Sequence, residues 1–95
     1  MVGILKVIAV RARRRNGAVR ALKRAFWAWA VKELNAEKRE AAAEAYKALM
    51  GKLIESLSDV PEDALVRLRM TVVDDVPTEI EAEVFTFLKN VTVRI

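Results

Sequence analysis

The chain has 95 residues, 54% of them apolar and 32% charged, which describes one globular domain spanning 1–95 with a thin but real hydrophobic core. It has no cysteine, histidine or glutamine, and serine only at Ser56 and Ser58, so disulfides, thiol chemistry, the commonest general base and the usual zinc ligands are excluded. The net charge of +4 is unevenly placed: nine of the 17 basic residues precede Glu33, the first acid, and all 13 acids follow with the other eight.

Residues 3–13 are β-branched and mostly apolar, and predict a strand buried over much of its length. Arg14, Arg15, Asn16 and Gly17 break it, with Asn16 a plausible N-cap. Residues 17–34 predict a helix whose stripe is Val19, Leu22, Phe26, Trp29 and Ala30. Trp27 lies outside that stripe, about 80° round from Val19 at 100° per residue, between Lys23 and Arg20 and close to Arg24. The phases therefore assign Trp29 to the core and Trp27 to the edge of a basic face.

Asn35 should cap a second helix over 36–57, buried through Ala42, Tyr46, Leu49, Met50, Leu53 and Leu57. Glu37, Glu40 and Glu44 load its first half, where the helix dipole favours negative charge. So short a break predicts an antiparallel helical hairpin. After a turn at 61–63, residues 64–73 alternate, with Val66, Leu68, Met70 and Val72 on one face and Arg67 and Arg69 on the other. Residues 74–78 read as a turn. Residues 79–88 alternate again, with Ile80, Ala82, Val84 and Leu88 opposite Glu79, Glu81, Glu83, Phe85 and Phe87. A bend at Lys89 and Asn90 precedes a last short strand over 91–95. Pairing Val72 with Ile80 keeps one face apolar and sets Arg69 opposite Glu83 and Arg67 opposite Phe85. The expected fold is α+β, order β-α-α-β-β, an antiparallel sheet of three or four strands with a two-helix hairpin on one face.

Two sets of residues bear on function. Arg11, Arg13, Arg14, Arg15, Arg20, Lys23 and Arg24 run into Phe26, Trp27 and Trp29, a basic stretch interleaved with aromatics. It reads either as a solvated surface or as a phosphate-binding one; solvated surfaces usually mix signs, and this stretch has no acid. Trp27 is open to a core, interface or stacking role. Phe85 and Phe87, two apart on a strand beside Arg67 and Arg69, form either a packing contact with the last strand or a second subunit, or a stacking surface for bases. The carboxylates alternate along one strand and do not predict a catalytic or metal-binding cluster. The glycines stand apart at Gly3, Gly17 and Gly51, so no phosphate-cradling loop exists.

A small Arg-, Val- and Ala-rich domain with a basic strand–helix beginning and aromatics on a sheet face resembles the archaeal ThermoDBP-related single-stranded DNA-binding proteins. The resemblance rests on Arg11–Arg15, the Arg20–Trp29 stretch and Phe85 with Phe87. It covers the whole chain loosely, in architecture and composition, and no family residue pattern transfers. It implies a sheet-and-helix cleft gripping single strands, a homodimer, and RNA as a further ligand among relatives. The abundance of Arg, Glu, Lys, Val and Ala fits a thermophile's composition.

The expectation is a non-catalytic binder of single-stranded DNA or RNA that needs no cofactor or metal. Its phosphate contacts would be the basic residues of the first third, Arg11, Arg13, Arg14, Arg15, Arg20, Lys23 and Arg24, and its stacking residues Trp27, Phe85 and Phe87, with Arg67 and Arg69 alongside the two Phe. The alternative from another class is a structural or scaffold subunit with no nucleic-acid role; membrane-surface binding ranks third, because the core needs the apolar stripe. No apolar run approaches the roughly 18 residues of a membrane span, and the first ten residues place charge after the apolar stretch, the reverse of a secretory signal. A soluble, cytoplasmic protein is expected.

Overall fold

In the computed structural model, which describes residues 4–86 and 90–95, the chain forms β1 (Leu5–Ala12), α1 (Arg15–Glu33), α2 (Ala36–Ser56), β2 (Leu65–Val73), β3 (Val76–Phe85) and β4 (Asn90–Arg94). The sheet is antiparallel throughout, with spatial order β1-β2-β3-β4. Both helices lie on one face, α1 over β1 and β2, α2 over β3. This is the α+β arrangement the periodicities predict, with a fourth strand. No helix among the described residues is long and apolar enough to cross a membrane.

Alternation places the core. Val66, Leu68, Met70 and Val72 of β2 and Ile80, Ala82 and Val84 of β3 are buried beneath the helices. From above they meet Ala18, Leu22, Phe26 and Ala30 of α1 and Ala42, Tyr46, Met50 and Leu53 of α2. Spacings of four, and of three or four, set these residues on one side of each helix. Asn35 caps α2 as its residue type predicts, its Oδ1 accepting from the Lys38 amide at 2.9 Å. α1 begins two residues earlier than expected. Its N-cap is Arg14, which makes no side-chain capping bond, and Asn16 lies inside the helix.

Two further expectations need correction. β1 reads as a buried strand, yet only Ile8 is buried along it. An apolar run tells nothing of sheet position, and β1 is an edge strand whose far face no helix covers. The β2–β3 register also differs by two residues from the expected one: Met70 pairs with Ile80, Leu68 with Ala82 and Val66 with Val84. Face assignments survive, because the side-chain period is two. The cause is the turn. It contains Asp74 and Asp75 alone, at φ 49° and 66°, so Val76 already pairs with Val73, and a bulge between Thr71 and Val72 absorbs the mismatch beside Pro77. Positive φ at both central residues marks a type I′ turn, whose twist matches the strands. Leu88 and Lys89 lie outside the described residues, so neither Leu88's face nor the bend at Lys89 is described.

Aspartate bears the left-handed conformation at some cost. Asp74 is tied to Ile4, its amide donating to the Ile4 carbonyl and its Oδ1 accepting from the Ile4 amide, both at 3.0 Å. Asp75 has an exposed 3.7 Å contact with Lys38, worth well under about 1 kcal/mol. Asp75→Gly should therefore raise stability by about 0.5–1 kcal/mol in chemical denaturation, without altering the fold.

Candidate nucleic-acid interface

The two helices do not close against each other along their length. They meet through Phe26 and Tyr46, whose rings stack at 4.3 Å and 19°. They meet again at the far end, where Arg15 Nη1 donates to the carbonyls of Leu57, Ser58 and Val60 at 2.9, 3.2 and 3.1 Å. Between these points the outer surface opens into a groove of about 630 Å³. α1 supplies Val19, Arg20, Lys23 and Trp27, and α2 supplies Tyr46, Lys47, Met50, Gly51 and Ile54. Toward Arg15 the groove runs on into a second hollow of about 290 Å³ that shares Val19 and Ile54.

The helical phase explains the lining. Val19, Lys23 and Trp27 are four apart on α1, and Lys47, Gly51 and Ile54 are four and three apart on α2, so each set forms a row along one flank. Gly51 leaves open space where a Cβ would stand. Three cations and no acid line the larger groove. Trp27 is half-buried, its indole edge-on to Phe26 at 5.4 Å.

The far face of the sheet differs. There β1 presents Val7, Ala9 and Arg11; β2 presents Arg67, Arg69 and Thr71; and β3 presents Glu79, Glu81, Glu83 and Phe85. Arg67 Nη2 donates to both oxygens of Glu83 at 2.9 and 3.0 Å, with the guanidinium carbon 5.8 Å from the Phe85 ring centroid. The cation–π contact is as expected, but it is diagonal, and the salt pair belongs to Arg67 and not to Arg69. Arg94 bridges Glu79 and Glu81 at 3.0 and 2.8 Å, and these carboxylates hold its guanidinium, already a strong base, more firmly protonated. Each acid on this face is thus paired, Glu83 with Arg67, and Glu79 and Glu81 sharing Arg94. Arg11 and Arg69 are exposed and make no ion pair among the described residues.

The expected site residues therefore divide. Arg20, Lys23 and Trp27 come together in the helical groove. Arg11, Arg67, Arg69 and Phe85 come together on the far face, with the sheet and the core beneath the helices between them and Trp27. Arg24 is exposed on α1, and Arg13 and Arg14 are exposed in the β1–α1 link, where Arg14 borders a small hollow with Glu62 and Asp63. Arg15 is occupied by backbone carbonyls. Phe87 lies outside the described residues. Trp29 is half-buried and not fully in the core, about 160° round α1 from Trp27 and 5.9 Å from Phe26. Both tryptophans thus brace the Phe26 ring, from opposite flanks.

Sequence reasoning overlooked the α2 wall. The available signal was Gly51, an isolated glycine among strong helix formers, four residues after Lys47. Comparison with protein-family models, curated proteins and solved structures yields no match.

Two outcomes follow from this geometry. Arg15 caps the C-terminal end of α2 with a charge the helix dipole favours. Arg15→Ala should cost about 2 kcal/mol of stability, read from the denaturation midpoint. Tyr46 is 7% exposed, and burial raises its phenol above the ordinary tyrosine value. The folded state therefore favours the neutral phenol, and its contribution to stability is present below pH about 10 and lost as pH rises through the raised value. Tyr46→Phe should flatten that alkaline loss in melts taken between neutral and strongly basic pH.

Proposed function

We propose that the chain is a non-catalytic binder of single-stranded nucleic acid, DNA or RNA, and that the groove between α1 and α2 holds the strand. The observation that carries this reading is the lining: Arg20, Lys23 and Lys47 around an indole and apolar side chains, with no acid among them. Cations at a groove rim suit phosphates. Trp27 suits a base, because every base has a π-face and stacking contributes about 1–3 kcal/mol. The groove runs about 18 Å from Trp27 to Arg15 along α1, room for a few nucleotides. Arg24, exposed on the same helix, extends the basic surface. The far sheet face is the weaker candidate, because a phosphate there would compete with Glu79, Glu81 and Glu83 for their arginines.

Fluorescence anisotropy with labelled single strands and the matching duplex tests this reading. Single strands should bind more tightly, since a duplex keeps its bases stacked away from Trp27. Each lost groove cation should lower the slope of log affinity against log salt by about 0.7. Gly51→Glu is the sharpest variant. The new side chain enters open space and removes a helix glycine, so stability should hold or rise by up to about 1 kcal/mol. The same carboxylate blocks the groove and repels phosphate, so binding should fall at least tenfold. Equal affinity for duplex, or binding untouched by Gly51→Glu, would overturn the proposal. Arg69→Ala, on the far face, should leave affinity nearly unchanged.

A further inference from the structure

The sheet has two outer edges, β1 and β4, and they differ. β4 offers five residues, and its cation, Arg94, is taken by Glu79 and Glu81. β1 offers eight, and neither Lys6 nor Arg11 makes an ion pair among the described residues.

Ile4 fixes the direction of the backbone along β1. Its carbonyl accepts from the Asp74 amide and its own amide donates to Asp74 Oδ1, both at 3.0 Å, so Ile4 faces β2. Antiparallel alternation then turns the N–H and C=O of Leu5, Val7, Ala9 and Arg11 outward. The side chains of these four lie on the far face of the sheet, and those of Lys6, Ile8 and Val10 on the helix face. Arg11 also stands directly opposite Arg67, a like-charge cross-strand pair that costs stability. Glu83 gives both its oxygens to Arg67, which leaves Arg11 the cation without a carboxylate.

We propose that the outer edge of β1 takes up an acidic, strand-forming segment of a partner protein as a fifth strand. Lys6 and Arg11 stand five residues apart on opposite faces, with Val7, Ile8, Ala9 and Val10 between them. An antiparallel strand laid along this stretch meets Arg11 first and Lys6 last. The segment that fits has a carboxylate at each end, opposite those two cations, and β-branched residues between. Main-chain bonds supply the attachment, and the end charges set the register and select the partner. The same cations discourage pairing with a basic edge. A second copy of β1 answers neither of them, since the strand contains no acid. A nucleic-acid strand has no peptide groups to continue the ladder. The proposal does not rest on nucleic-acid binding in the groove.

The probe is the acetylated and amidated peptide Glu-Val-Thr-Ile-Val-Glu, added to the isotope-labelled full chain. It should slow amide exchange at Leu5, Val7, Ala9 and Arg11, and leave Lys6, Ile8 and Val10, already turned toward β2, as they were. The same peptide with Lys at both ends should bind at least about tenfold more weakly. Lys6→Glu should lose the original peptide and regain affinity for one whose last residue is Lys, a swap that unfolding cannot produce. Ala9→Pro removes an outward N–H and no bond to β2, so binding should vanish while circular dichroism stays native. An unlabelled single-stranded oligonucleotide should not displace the peptide. Unchanged exchange with the peptide in large excess would overturn the proposal. So would equal binding of the Lys-ended peptide, failure of the charge swap, or displacement by the oligonucleotide. Protection of the four amides that rises with protein concentration alone would also overturn it, because a second copy would then hold the edge.

Discussion

Phe26 is the side chain on which the helical layer depends. It is fully buried, stacks on Tyr46 across the hairpin and is flanked by both tryptophans of its own helix. Tyr46 is the ring that brings α2 to α1, so the angle between the helices is set largely at this contact. The partners nearby are small. Ala18, Ala30 and Ala42 are fully buried, which lets both helices sit close to the sheet. Replacing Phe26 with alanine would remove the largest fully buried side chain and leave a cavity with three aromatic walls, a loss of the order of 3–5 kcal/mol.

Fixing two helices near one ring and at one capped terminus has a geometric consequence. Across the span between the two points Val19 and Ile54 are modest in size and Gly51 has no side chain, so the opening is not filled. The opening is thus a product of the packing and not a separate feature. It also explains why Arg15 belongs to the fold. Its Nη1 donates to three carbonyls at the end of α2, which fixes the guanidinium at that helix terminus.

Much of the architecture was legible because it follows from periodicity. The period-two runs in β2 and β3 assign faces whatever the register, and the Asn35 cap and the spacing from Ala42 to Leu53 locate α2 and its buried side. What could not be read is what periodicity does not encode. Val76-Pro77-Thr78 resembles turn chemistry, yet Pro77 sits in β3 opposite Val72, next to the bulge. Edge position is likewise silent, so β1 reads as buried. The candidate site was half legible. The sequence clusters its arginines and aromatics in one dimension, while the fold deals them to two faces separated by the core, and Lys47 and Gly51 join the groove from a helix that reads as acidic at its start.

The same reasoning separates charge by segment from charge by surface. The basic first third and the acidic remainder suggest a dipolar molecule, but the field outside a protein depends on which charges neutralise each other nearby. β3 places Glu79, Glu81 and Glu83 between β2 and β4, where Arg67 and Arg94 meet them at hydrogen-bond distance, so the acids of the far face are paired while Arg11 and Arg69 there make no ion pair among the described residues. Among the described residues the groove cations have no such partners. Lys23 from α1 and Lys47 from α2 line the groove together with apolar side chains. On the proposed reading, Trp27 and Met50 would give the uncharged part of a bound strand somewhere to bury.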